Sequence, residues 1–325
     1  MPRVVIFDET GDPDVLHIVE EPIADPGAGE VRIRIEAFGV NRLDQMARAG
    51  ASPRPIRLPH ARLGIEGTGV IDAVGPDVEG IEVGDAVMIA ALPDADVRGA
   101  YADYTVVPVT AVVPRPPGAS AIDAAALWVS YSTAYGALVE KAGMRPGDHV
   151  LITAASSSVG LAAIQIANQI GAVPIAVTSH SAKKDALLAA RAATVIATDE
   201  ENVAEAARRH TGGVGVDIIL DSVMGPGLAE LATAAKFGGT LITAGWLDPR
   251  PASFPVGALT IYRYMSFEHT LDPVVVRRIA AFLSAGLRFG ALKPTIDKVF
   301  AFEDVVEAHR HLEKGQQIGK IVVTV

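Results

Sequence analysis

Leu151-Ile152-Thr153-Ala154-Ala155-Ser156-Ser157-Ser158-Val159-Gly160 is a short apolar run that breaks into small residues and opens directly onto a helical pattern at 159–170. A strand, a tight turn of small side chains and a helix let backbone N–H groups approach a pyrophosphate at a helix N-terminus, where the macrodipole favours negative charge. Of the glycines usual in such a turn only Gly160 remains; Ala and Ser, nearly as small, hold the other positions, and Ser158 is placed to cap the helix. The same residues also describe an ordinary strand, turn and capped helix. Position favours the nucleotide reading. The turn opens a series in which strands at 149–154, 173–177, 194–197, 216–220, 240–244 and 264–268 alternate with helices at 159–170, 182–191, 203–210 and 228–237. Six strands joined by helices predict a doubly wound parallel sheet, an α/β domain of Rossmann type.

The end of the second strand selects the nucleotide. Val177-Thr178-Ser179-His180-Ser181-Ala182-Lys183-Lys184 offers hydroxyls and two cations, with no carboxylate before Asp185 to bond a ribose 2′-hydroxyl. That chemistry suits a 2′-phosphate and predicts NADPH, with Ser179 and Lys183 as its ligands. A charge-assisted hydrogen bond contributes about 1.5–3 kcal/mol, so Lys183 alone is enough to set a preference. The alternative is that the lysines only solvate a helix start.

Upstream, short β-runs at 4–7, 31–37, 67–74, 86–90 and 102–107 lie between turn signals at 25–27, 84–85 and 114–118. They predict an antiparallel, barrel-like domain, which the mixed tail from residue 273 completes. With 325 residues the chain has room for two cored domains. Zero cysteines remove disulfides, thiolate nucleophiles and every cysteine-bearing zinc site. A formal charge of −10 argues against a nucleic-acid partner. The N-terminus lacks a signal-peptide core and no run of 18 apolar residues occurs, so a cytoplasmic protein without a membrane partner is expected.

Seven motifs now stand in order: Gly39-Val40-Asn41-Arg42-Leu43-Asp44, Leu63-Gly64-Ile65-Glu66-Gly67-Thr68-Gly69, Val83-Gly84-Asp85-Ala86-Val87, Gly99-Ala100-Tyr101-Ala102-Asp103-Tyr104, Ser132-Thr133-Ala134-Tyr135, the turn at 154–160, and Gly319-Lys320-Ile321-Val322. On these the whole chain resembles the medium-chain dehydrogenase/reductase superfamily, in its zinc-independent branch around quinone oxidoreductase and zeta-crystallin. The resemblance implies a GroES-like β-barrel catalytic domain (1–123 and 271–325) and a Rossmann NADP-binding domain (124–270). It implies a homodimer through the last strand of the Rossmann sheet, near residues 264–268. In zinc-dependent relatives the catalytic metal is held by Cys, His and Cys at positions that match Asn41, Ile65 and Val129. All are replaced here, so no metal is expected. His309 and His311, two apart on a helix, read as solvated or helix-end residues, not ligands.

Without a Lewis acid to polarise an isolated carbonyl, the resemblance implies hydride transfer from NADPH to a small molecule that spreads charge itself, a quinone or an α,β-unsaturated carbonyl compound. Asn41 is implied beside the nicotinamide, with an amide free to donate to a carbonyl oxygen or, alternatively, to cap a turn. Asp44 is implied to face the same cleft, or to cap a helix, and Tyr131 to line the site or belong to the core. Ser157, Ser158, Val159 and Gly160 are implied at the pyrophosphate, Gly245, Trp246, Leu247, Phe267 and His269 on the nicotinamide side, and Lys320 at the phosphates from the tail. Residues 92–98 are expected as a loop over the cleft, and Asp221 as the organiser of the turn with Ser222. Met46 and Ser52 stand near where several quinone oxidoreductases carry tyrosines, which keeps two other readings open. These are an enoyl reductase or dehydrogenase for a larger, pathway-specific substrate, and an NADPH-binding protein with little turnover.

Overall fold

The computed structural model describes residues 1–325, which divide into two compact units. The first comprises 1–129, 270–284 and 294–325, and the second 130–269 and 285–293. The division thus falls at 129/130 and 269/270 against the expected 123/124 and 270/271, and 285–293 returns to the second unit.

The first unit is organised by one long strand, Glu30–Val40, in which Val31, Ile33 and Ile35 are buried in alternation, and a register shift between Ile35 and Ala37 brings Phe38 into the same core. Antiparallel partners flank it on both edges: Gly67–Val74 and, over part of its length, Tyr104–Pro108 and the C-terminal strand Lys320–Thr324. Ile321 opposite Val40 and Val323 opposite Phe38 carry the tail into the same core, so both ends of the chain build this unit. A smaller sheet pairs Arg3–Phe7 with His17–Glu20 and Ala61–Arg62.

The second unit holds six parallel strands in chain order: β1 (His149–Ile152), β2 (Val173–Thr178), β3 (Thr194–Ala197), β4 (Val216–Asp221), β5 (Ala235–Thr243) and β6 (Thr260–Arg263). Their spatial order is β3-β2-β1-β4-β5-β6, the doubly wound arrangement in which chain direction across the sheet reverses beside β1. Two elements differ from expectation. The alanine-rich helix expected to 237 stops at Ala232, and β5 begins at Ala235. Gly238, at φ 72°, and Gly239 sit where β5 slips out of register with β4, a bulge that glycine permits and a helix interior disfavours. The sixth strand lies at Thr260–Arg263 rather than 264–268; Glu268 turns back to accept from the Met265 N–H, and Phe267–Thr270 is a helical turn. No helix is long and apolar enough to cross a membrane.

Candidate functional site

In the second unit, β1 delivers the chain to Thr153, whose hydroxyl donates to Asp221 at 2.7 Å and accepts from the Ser222 N–H at 2.9 Å. Asp221, fully buried, also accepts from the N–H groups of Val223 and Met224, so it organises the turn after β4. Ala154 then takes a left-handed φ of 46°, and Ser157 caps the helix Ser158–Ile170 by accepting from the Gly160 N–H at 3.1 Å. The cap is therefore Ser157 and not Ser158, which is the first helical residue. Gly160 is obligatory: a Cβ there would lie 2.6 Å from Ala155 Cα and 2.7 Å from the Ala154 carbonyl oxygen, both backbone atoms. The missing side chain lets the helix start close on the turn, leaving a small-walled cradle of N–H groups of the kind that accepts a pyrophosphate.

Beyond β2, Ser179 is exposed and the Lys183 ammonium lies 3.4 Å from the Ser156 hydroxyl, which brings the predicted 2′-phosphate ligand to the edge of the cradle. Lys184 pairs with Glu200. The chain after β5 folds back onto the β4 turn: the Leu247 N–H donates to the Ser222 carbonyl at 3.1 Å, and Arg263 lies 5.3 Å from the Trp246 ring centroid. Phe267 and His269 share the short helix Phe267–Thr270, and His269 stacks on Tyr264 at 5.5 Å with Nδ1 3.2 Å from its hydroxyl.

The first unit carries a buried polar network that no single stretch of sequence reveals. Lys320, 2% exposed, donates from Nζ to Asn41 Oδ1 at 2.6 Å and to Glu66 Oε1. Asn41 Nδ2 donates to Glu66 Oε1 at 3.0 Å and to the Gly39 carbonyl at 3.2 Å, and Glu66 Oε2 accepts from the Val129 N–H at 2.8 Å. Gly39 makes room: a Cβ there would sit 2.5 Å from both Glu66 Oε1 and Lys320 Cε. Asp44 accepts from the Asn41 N–H at 2.9 Å and the Gly64 N–H at 3.0 Å, closing the start of the helix Arg42–Arg48. Burial pushes its carboxyl up to about 6, against the pull of those two donors and of Lys320.

These contacts correct several expectations. Both amide hydrogens of Asn41 are spent within the network, so it has none left to donate to a substrate carbonyl. Lys320 is not a free phosphate ligand, because an amine buried this deeply needs an anion and has Glu66. Tyr131, 2% exposed, donates its hydroxyl to Gln165 at 2.8 Å, and Gln165 in turn clamps the Lys293 backbone. It therefore packs within the second unit, the core alternative of the two. Residues 92–98 form no loose loop: Leu92 is buried, Ala95–Arg98 is helical, and Asp96 holds Arg57 at 2.7 Å.

His309, expected in solvent or at a helix end, is instead fully buried within the helix Val305–Glu313, edge-on to Tyr101 at 5.8 Å. Its two ring nitrogens, the Tyr101 hydroxyl and Arg48 Nε have no protein hydrogen-bond partner. Burial, helped by the Arg48 charge, pushes the imidazole down to about 3, so it is neutral. The signal was available: Val305, His309 and Leu312 share one stripe of the helix Val305–Glu313 at helical spacing. His311 pairs instead with Asp297 at 2.7 Å.

A parallel sheet in this order, with a glycine-tight turn after its first strand, defines the doubly wound dinucleotide-binding class. Residues 27–117 match the family model described as the alcohol dehydrogenase GroES-like domain, and 191–323 the one described as zinc-binding dehydrogenase. Human quinone oxidoreductase is 30% identical over 99% of this chain and 97% of its own length. Erythronolide synthase EryA2 of Saccharopolyspora erythraea is 33% identical over 94% of this chain, which spans only 8% of that protein. Among solved structures, Escherichia coli quinone oxidoreductase complexed with NADPH superposes with a TM-score of 0.92 at 26% identity, covering 99% of this chain and 100% of that one. The chain belongs to the medium-chain dehydrogenase/reductase superfamily, in its zinc-independent quinone oxidoreductase branch.

The zinc in the family model's description does not fit these residues. Ile65 and Val129 have no donor atom, and the Asn41 carbonyl oxygen already accepts from an ammonium whose charge repels a dication.

Proposed function

We propose that this protein is an NADPH-dependent, zinc-independent reductase that passes a hydride to a quinone or to the activated C=C bond of an α,β-unsaturated carbonyl compound. The observation that carries the reading is the cradle at Ser157–Gly160 with Lys183 at its edge, residues built to receive a phosphorylated dinucleotide. NADPH, when bound, supplies the hydride. Ser157, Ser158, Val159 and Gly160 hold its pyrophosphate, Ser179 and Lys183 its 2′-phosphate, and Gly245, Trp246, Leu247, Phe267 and His269 flank the nicotinamide. In the first unit Asn41 is locked by Glu66 and Lys320 with no amide hydrogen left to donate, and Asp44 fixes the start of the helix Arg42–Arg48. Catalysis of this kind rests on positioning, which suits acceptors whose conjugation disperses the developing charge.

The likeness to a stretch of erythronolide synthase supports a second reading, an enoyl reductase for a larger, pathway-specific substrate. In either case we expect a cytoplasmic homodimer, joined along the outer edge of β6, so the expected interface moves from 264–268 to Thr260–Arg263. Fluorescence titration of NADPH and NADH tests the cofactor assignment. Wild type is expected to bind NADPH more tightly, and Lys183→Ala to lose about 10- to 150-fold for NADPH with NADH little changed, the worth of one charge-assisted bond. Equal wild-type affinities for the two nucleotides contradict the 2′-phosphate assignment.

A further inference from the structure

The chain after β3 reads Thr198-Asp199-Glu200-Glu201, and because β3 is the neighbour of β2 it runs beside the basic segment at 179–184. The Thr198 N–H donates to the Thr178 carbonyl at 2.9 Å, which keeps the two strand ends together. The charges of Asp199, Glu200 and Glu201 thereby reach Lys184. Glu200 takes Lys184. Asp199 takes Ser181: its carboxylate oxygens accept from the Ser181 N–H at 3.1 and 3.0 Å, and one of them accepts from the Ser181 hydroxyl at 3.3 Å. The backbone donor, chiefly, holds the Asp199 carboxyl below its usual range, so it is an anion at neutral pH. A carboxylate therefore already occupies the donors of Ser181, in the segment where a 2′-phosphate is to be read.

We propose that Asp199 is a specificity-determining residue, a built-in anion that Ser181 holds beside the basic segment and that repels the 2′-phosphate, so that the preference for NADPH over NADH is smaller than the lysines alone would set. The proposal rests on the NADPH reading above. A 2′-phosphate brings like charge to the carboxylate, whereas the 2′-hydroxyl of NADH is a donor that a carboxylate accepts. The two nucleotides therefore feel Asp199 with opposite sign.

The test uses the full-length protein, with 2′,5′-ADP and 5′-ADP as probes beside NADPH and NADH. Asp199 is exposed, and Asp199→Asn keeps an acceptor for the Ser181 N–H, so the fold is not at stake. The expected result is about tenfold tighter binding of NADPH and 2′,5′-ADP, with NADH and 5′-ADP unchanged or weaker, and a gain that shrinks as salt screens the charge. Asp199→Ser is expected to move the ratio the same way. Equal changes for all four probes, no change, or weaker NADPH binding overturns the proposal. If wild type prefers NADPH and the variant ratio stays put, only this inference falls. If wild type binds neither nucleotide, the reading of the second unit falls and takes this inference with it.

Discussion

Lys320→Met is expected to destabilise the first unit by about 3–5 kcal/mol, the cost of leaving a buried charge without its partner. Glu66 is 1% exposed and shares the ammonium with Asn41, so removing the cation strands a carboxylate among Gly39, Asn41 and the Val129 N–H. Glu66 immediately precedes Gly67–Val74, the strand that pairs with Glu30–Val40. Glu66→Gln keeps an acceptor for Val129 and removes the charge. The double variant Lys320→Met with Glu66→Gln is therefore expected to recover most of the loss. A double-mutant cycle by urea unfolding reads this as a coupling of 2 kcal/mol or more, on the order expected for a buried ion pair. Strictly additive single costs contradict the account of the network.

The second large effect is on pH dependence, where two buried groups of the first unit oppose each other. His309 titrates near 3 in the folded chain and near 6.5 unfolded, so its contribution is complete above pH 6.5 and is lost as pH falls. Between pH 7 and 5 that loss is about 2 kcal/mol, at 1.36 kcal/mol per unit. Asp44 runs the other way: its folded value of about 6 lies above the unfolded 3.8, so its ionised form burdens the fold and stability is regained as pH falls through 6. Over the same interval the gain is about 1 kcal/mol. The wild type is thus expected to lose about 1 kcal/mol between pH 7 and 5, the difference of the two. His309→Leu is expected to become more stable by about 1 kcal/mol, and Asp44→Asn to lose about 2 kcal/mol. Unfolding curves at the two pH values measure the slopes, which stay interpretable even if a variant shifts stability overall. Parallel slopes in all three proteins refute the assignment.

What the sequence made legible, and what it did not, follows the range of the interactions. Gly67–Val74, Thr194–Ala197 and Val203–His210 were readable to the residue because periodicity and flanking turn signals are local. The nucleotide turn was readable as a turn, but three consecutive serines offer equivalent caps, and only the folded backbone selects Ser157. The Asn41–Glu66–Lys320 network was out of reach, since Asn41 and Lys320 lie 279 residues apart and meet only when the C-terminal strand pairs with Glu30–Val40. Asp199 was missed for a different reason. The basic segment was read along the chain, whereas the sheet order already placed the end of β3 beside it.

A bound NADPH is expected to reduce a conjugated acceptor. Stopped-flow measurement of NADPH oxidation, with a panel of quinones and enones against unconjugated ketones, tests it most directly. The expected result is NADPH oxidation above background with at least one conjugated acceptor and none with the isolated ketones. Tight NADPH binding with no acceptor oxidising it above background contradicts the claim and leaves a nucleotide-binding protein without turnover.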